Sequence, residues 1–363
     1  MTTDLLDKAE QLASAGNVTD AELMFAAAVQ GAPDVTAFLR FGSFLLNIGR
    51  LGQAETMYER VLNTEGADDA HRADALRNLG GVALKRGNLD RASEWSRRAL
   101  ELDTRLMRND GIARDYRMLG NIALTRGKLT DAESMYAHSL KVHRQLADLK
   151  EVAKDSHSLA LVYRRLNQLD RAEEALRRSL EINESHQWQD AVARDLTQLG
   201  VLCDIRGELE QAETYYQRAL AIDKQLGRRE SIASVYGNLG LLRLKAGQYG
   251  DAERFLRESL RMEEELGHLT GMASAYSGLA DVYSKMDRLD EAERLQRKSL
   301  DLNERIQRRD AIAENYERLG DIYKARGETE TARSMWQAAI DTYERLGLVE
   351  RATMVRARTA TTN

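Results

Sequence analysis

The chain has 363 residues, of which 43% are hydrophobic, 31% charged and 6% aromatic, with one proline, one cysteine and a formal net charge of -5. That composition describes a soluble helical protein with small packing residues. It excludes a disordered chain, and it argues against nonspecific nucleic-acid binding as the main function, which would call for a basic face along most of the chain. The single Cys203 cannot form an internal disulfide, no stretch reaches membrane-spanning length, and Met1 to Leu12 is too polar for a secretory leader. The expectation is a cytoplasmic protein with no membrane insertion.

From Met1 onward the elements are helical hairpins. Near the middle of the chain, Val235, Leu239, Leu242 and Ala246 draw one apolar stripe down a first helix, and Ala252, Phe255, Leu256, Ser259 and Leu260 repeat the spacing on a second. The small residue of the second helix recurs at Ala21, Ala54, Ala92, Ala132, Ala172, Ala212, Ala252, Ala292 and Ala332, in steps of forty residues from Ala92 onward. The turn between the helices reads Gly16, Gly49, Gly87, Gly127, Asn167, Gly207, Gly247, Asp287 and Gly327. Asn and Asp are the residues that tolerate a left-handed backbone next best after glycine, so the two departures fit the pattern.

In chain order, Leu5 to Leu62 holds two hairpins of shorter period. Asn63 to Asp69 is a joint where turn-forming residues gather and a small bend is expected. Seven forty-residue hairpins occupy 70–346, and Val349 to Arg358, with Glu350, Arg351, Arg356 and Arg358, supplies a polar helix to cover the open end. Ala357 to Asn363 is expected to fray. A chain of this length ordinarily makes two or three domains, but a stack of hairpins extends without splitting. One domain over 1–363 is therefore expected, with 1–66 as the short-period part and 348–358 as the capping helix.

The Leu-Gly pairs at Leu79-Gly80, Leu119-Gly120, Leu199-Gly200, Leu239-Gly240 and Leu319-Gly320, with Leu159-Ala160 and Leu279-Ala280 as variants and Phe41-Gly42 earlier, complete the signature. With the turn glycines and second-helix alanines they resemble the tetratricopeptide repeat. The resemblance implies an all-α, right-handed superhelical solenoid of about nine antiparallel hairpins plus a C-terminal capping helix. Two features depart from the common pattern. The period is forty instead of thirty-four, and the closing proline is absent, Pro33 being the only proline, so second helices can run longer. Repeats of this length are similar to those of Pins-type polarity adaptors and of the kinesin light chain. Both are peptide-binding scaffolds, which implies partner binding and no cofactor.

Residues that could carry chemistry are ordinary repeat positions. Gly120 to Lys128 has six residues between its glycines where a phosphate loop has four, and Leu129 stands where Ser or Thr belongs. His71, His138, His143, His157, His186 and His268 are scattered without metal-ligand spacing. Cys203 reads as a small buried hydrophobe, and acidic residues of second helices such as Glu173-Glu174 and Glu263 to Glu265 as a solvated outer face. The expectation is a non-enzymatic chain with no catalytic residue and no metal site.

In the family, the first helices line the concave side. Reading the inward positions around each Leu-Gly gives Arg77, Asn78, Lys85, Arg114, Arg117, Asn121, Lys154, His157, Arg164, Arg165 and Arg194, then Ser234, Gly237, Asn238 and Leu241, and finally Glu314, Glu317 and Asp321. The groove is thus graded from basic to acidic. Arginine forks and asparagine amides are the chemistry that holds an acidic segment or a C-terminal carboxylate. The predicted peptide-binding residues are Arg77, Asn78, Arg114, Arg117, Asn121, Lys154, His157, Arg164, Arg194 and Asn238. Asp115, Asp155 and Asp195, each beside an inward position, offer the competing reading of internal pairing. Two alternatives stand beside the scaffold. One is a peptide-sensing regulator, resembling bacterial quorum-peptide receptors. The other is self-assembly, for which Phe38, Phe41, Phe44 and Leu45 make the N-terminal end a candidate surface.

Overall fold

A computed structural model describes residues 2–30 and 34–360, and among these it contains nineteen helices and no strand. Two shorter hairpins come first, α1 (Thr2–Ser14) with α2 (Val18–Val29) and α3 (Val35–Asn47) with α4 (Leu51–Asn63). The regular array follows with α5 (Asp69–Lys85), α6 (Leu89–Arg105), α7 (Asn109–Thr125), α8 (Leu129–Gln145), α9 (Leu149–Arg165) and α10 (Leu169–Ser185). It continues through α11 (Gln189–Arg206), α12 (Leu209–Leu226), α13 (Arg229–Lys245), α14 (Tyr249–Leu266), α15 (Leu269–Lys285), α16 (Leu289–Arg305), α17 (Arg309–Ala325) and α18 (Thr329–Arg345). A last helix, α19 (Val349–Ala360), packs on α18. Pro33 lies outside the described residues, as do the last residues of the expected frayed tail.

The forty-residue period divides into two equal halves. Both helices of a hairpin are 17 or 18 residues long, so the extra length over the common repeat is shared and is not confined to second helices. Every twentieth residue from Gly87 to Gly347 has positive φ, including Met107, Ala147, Asn167, Gln187, Asp287 and Gln307. At each, a pair of backbone bonds closes the preceding helix, as in Gly247 N–H to Leu244 C=O (3.0 Å) and Gln248 N–H to Arg243 C=O (2.9 Å). This is the Schellman arrangement. The turns between hairpins therefore have the same geometry as those within them, although several lack the glycine that marks the latter. At the joint before α5 the left-handed residue is Gly66 (φ 84), and Asp68 caps α5 by accepting from the His71 N–H at 2.8 Å.

The Leu-Gly glycine is a seat for the second helix. A Cβ at Gly200 would lie 2.6 Å from the Tyr216 ring, and one at Gly320 would lie 2.4 Å from the Trp336 ring, so any larger residue would push the hairpin apart.

The chain divides into two compact units, residues 1–182 and 183–363. In the first, the core opens on Phe25, Phe41 and Phe44, with Phe25 stacked on Phe41 at 5.6 Å between ring centroids. Within each unit, consecutive odd-numbered helices touch, α3 with α5 and α5 with α7 in the first, α13 with α15 in the second, while the even-numbered helices stand further apart. The odd-numbered helices thus form the tighter layer.

Candidate functional site

The odd-helix face of the first unit carries a cleft of about 530 Å³ between α1, α3, α5 and α7, and Arg77, Asn78 and Arg114 line it. Arg77 is buried. Its Nε donates to Asp115 Oδ1 at 2.6 Å, its Nη1 to Asp74 Oδ1 at 2.7 Å, and its Nη2 to Asp103. Asp103 also faces Arg108 Nη1 at 3.2 Å. Burial pushes the carboxyls of Asp103 and Asp115 up, Asp115 to about 7, against the pull of Arg77. Gly111 makes room for the cluster, since a Cβ there would stand 2.1 Å from Asp103 Oδ2.

Four of the other predicted cations, Arg114, Arg117, Lys154 and Arg194, also have carboxylate neighbours. Arg117 pairs with Glu151 and, at 3.4 Å, with the fully buried Asp155. Burial acts to raise the Glu151 carboxyl, but hydrogen bonds from Lys154, at 2.6 Å, and Arg117 hold it at about 2. Arg114 and Arg194 make pairs one helical turn away, with Asp110 at 2.8 Å and Asp190 at 3.4 Å, and both stay about half exposed. Asn121 accepts from the Tyr136 hydroxyl at 2.6 Å. His157 and Arg164 are half-buried on α9 and line neither this cleft nor the one in the second unit. At the acidic end α19 supplies the counter-charges, with Arg351 at 3.4 Å from Glu314 and Arg358 at 2.9 Å from Glu317 and 2.8 Å from Asp321.

The second unit carries a wider cleft, about 740 Å³, between α13 and α15. Ser234, Gly237, Asn238 and Leu241 form one wall, Ser274 and Thr270 the other, and Glu263 of α14 reaches it from below. Asn238 is the only predicted site residue there. The structure therefore gathers Arg77, Asn78 and Arg114 in one cleft, places Asn238 in another, and ties Arg117 and Lys154 together through Glu151 outside both.

A polar series on the second helices escaped the sequence reading, which placed Glu263 on a solvated outer face, whereas it is buried where α14 meets the next hairpin. Asp103, His143, Asn183, Asp223, Glu263, Asn303 and Tyr343 recur at forty-residue spacing, and all are buried at the junction with the next hairpin. The signal that could have shown it is a polar residue held in register on an apolar stripe. In one rung Ser139 Oγ donates to Asp155 Oδ2 at 2.7 Å, and His143 Nδ1 shares that oxygen at 2.7 Å. All three side chains are 0% exposed, so no substrate reaches them, and the rung serves as a core polar network. Cys203 is buried, and among the described residues no group of His, Cys, Asp and Glu could hold a metal ion. Phe38, Phe41, Phe44 and Leu45 are buried in the first unit's core and present no exposed apolar face.

The model of the MalT-like TPR region matches residues 44–225, and the tetratricopeptide-repeat model matches residues 192–265 and 271–345. The chain belongs to the tetratricopeptide-repeat family. A comparison with curated proteins by sequence finds no match. Among solved structures, a Rap protein complexed with Competence and Sporulation Factor aligns over 90% of this tetratricopeptide-repeat chain and 97% of its own, at 16% identity and a TM-score of 0.64. The apo form of RapI aligns over 76% of this chain and 99% of its own, at 14% identity and a TM-score of 0.62. BtubC (BKLC) from P. vanneervenii aligns over 62% and 92%, at 23% identity and a TM-score of 0.50. At these identities the likeness is one of fold. Tetratricopeptide repeats are protein-interaction folds, so the partner class is protein or peptide. No helix among the described residues is long and apolar enough to cross a membrane.

Proposed function

We propose that this protein is a cytoplasmic, non-enzymatic scaffold that holds a polypeptide segment against its odd-numbered helices, with an acidic stretch or a C-terminal carboxylate on the first unit. The observation that carries the reading is a cleft on the odd-helix side of each unit, about 530 Å³ in the first and 740 Å³ in the second, each lined mainly by first helices with polar groups at the inward register. Amide, hydroxyl and guanidinium groups in a walled cleft suit an extended backbone and its charges. Arg114 is available to a ligand because its pair with Asp110 lies within one helix at the surface and is worth little, and Lys154 keeps a half-exposed side chain although it donates to the more buried Glu151. Arg77, Arg117 and their buried carboxylates shape the wall, Asn78, Asn121, His157 and Arg164 complete the basic side of the first unit, and Arg194 is a separate candidate contact on the second.

The test is selection of binders from a random peptide display library on the full chain. Acidic sequences should be enriched, and their affinity should fall at least about tenfold in the double variant Arg114→Glu, Lys154→Glu and with rising salt. That variant spares the buried pair of Arg117 and Asp155. Neutral binders with unchanged affinity for the variant would sink the acidic reading.

A regulator that senses a bound factor is the second reading. It is supported by the likeness in fold to the Rap protein complexed with Competence and Sporulation Factor. Small-angle scattering with and without a selected peptide separates the two. Superimposable curves favour a passive scaffold, and a changed radius of gyration favours a sensor.

A further inference from the structure

The two clefts hold the same repeat register four repeats apart, and five positions of that register differ. Gly237 stands where Arg77 stands, Glu263 where Asp103 stands, His268 where Arg108 stands, Ser234 where Asp74 stands and Ala275 where Asp115 stands. Gly111 and Gly271 match, and each makes room for its carboxylate, the Glu263 Cδ lying 2.1 Å from where a Gly271 Cβ would be. The second unit has kept the buried carboxylate and lost the guanidinium that neutralises it.

Glu263 is only 7% exposed, and its Oε2 has no hydrogen-bond partner. The basic side chain beside it is the His268 imidazole, with Nδ1 at 3.3 Å from Oε2, and its Nε2 lies 3.6 Å from Glu230. His268 is itself 42% exposed, so it is a poor substitute for the buried fork of Arg77. A buried carboxylate without a hydrogen-bonded cation is unfavourable, and a cationic group that reaches it relieves that cost. The cleft provides the path, with Ser234, Asn238 and Ser274 on its walls.

We propose that this cleft is a specificity pocket for an arginine side chain of the bound segment, whose guanidinium occupies on Glu263 the place that Arg77 occupies on Asp103. The pocket rests on the reading that the odd-helix face takes a polypeptide segment. Arginine fits better than lysine because the guanidiniums that fill this register elsewhere in the chain, those of Arg77 and Arg117, each meet more than one acceptor from a planar fork. In the second unit those acceptors are the Glu263 carboxylate and the hydroxyl and amide oxygens of Ser234 and Asn238.

The probe is the blocked tripeptide acetyl-Gly-Arg-Gly-amide, with citrulline replacing arginine in a control, titrated into the full chain and followed by the methyl NMR signals of Leu241, which lines the cleft. The arginine peptide should bind on the order of 30-fold more tightly than the citrulline peptide, and Glu263→Gln should lose that preference. Gly237→Arg, which supplies the guanidinium from within, should abolish the response and raise the melting temperature. Its Cβ would approach Ser259 Oγ to 3.3 Å, so if it folds poorly the citrulline control and Glu263→Gln decide alone. Equal binding of the two peptides, or an arginine preference that survives Glu263→Gln, would overturn the proposal. A parallel display selection separates the two readings. Binders recovered equally by wild type and Glu263→Gln, with no arginine enrichment, refute the arginine pocket and leave the groove reading standing. An arginine-specific tripeptide response with no longer binders upholds the pocket and refutes the groove reading.

Discussion

The junction of α6 with α7 and that of α14 with α15 present one backbone geometry with two solutions to a buried carboxylate. At the first, Asp103 is enclosed with Asp115 around Arg77, and the chain fills its own cavity. At the second, Glu263 faces open space because Gly237 withdraws the side chain that would fill it. The backbone is fixed by small residues and turn geometry common to both, so the side chains at a few register positions, Arg77 against Gly237 foremost, decide whether the space belongs to the core or to a ligand. Repeat architecture makes such an exchange tolerable, since each hairpin contacts only its neighbours.

The comparison is most easily broken at the arginine itself. Arg77→Ala leaves two carboxyls buried without their cation and should cost about 3–5 kcal/mol in urea unfolding of the full chain. Gly237→Ala at the matching place should gain at most about 1 kcal/mol, from helix propensity. Similar losses at both positions would show that the second cleft does not differ in kind.

Next in size are the two glycines beneath the carboxylates. Gly111→Ala and Gly271→Ala each put a Cβ 2.1 Å from a carboxylate atom, and each should cost about 1–3 kcal/mol by overpacking. Glu263, with open cleft beside it, can move aside, so the smaller loss is expected at Gly271. Thermal melts of the two variants side by side test the order.

The turns of the same two junctions should differ by less. Met107 holds φ 54 as a residue 82% exposed, whereas Gly267 holds φ 70 without a Cβ. Met107→Gly should stabilise the chain by about 1 kcal/mol and Gly267→Ala should destabilise it by about as much, because a left-handed backbone penalises any Cβ. Equal and negligible shifts in the denaturation midpoint would remove the strain argument.

The last difference is one of slope with pH. Burial raises the Asp115 carboxyl to about 7 in the folded chain, well above an ordinary aspartate. Between the ordinary range and about 7 the folded state holds more protons than the unfolded one, so stability contributed by this group falls as pH rises through that window. Asp115→Asn should flatten the decline in midpoint between pH 4 and 7. Glu263, also raised by burial, adds a slope of the same sign that Glu263→Gln should remove.

Much of this architecture was legible in the residues because its causes are local. Leu239-Gly240, Gly247 and Ala252 announce a hairpin since a left-handed turn and a close helix contact each accept few residue types. The second set of turns was not legible, because Met107, Ala147 and Gln187 are held in left-handed geometry by the helices they join and not by their own preference. The same holds for the groove. Sequence register placed Arg77 and Arg117 among inward positions, yet their charges are taken up by Asp103, Asp115, Glu151 and Asp155, the last three of which face them from the neighbouring first helix and Asp103 from the second helix of the same hairpin.

The sequence by itself determined the hairpin, its forty-residue step, the all-helical class and the polar last helix, all consequences of side-chain size and backbone preference within one repeat. Only the tertiary structure decided which charges are spent inside the protein and which carboxylate is left facing a cleft. That outcome depends on groups brought together from different helices, and the Coulomb and desolvation terms that rank them exist only once those helices are packed.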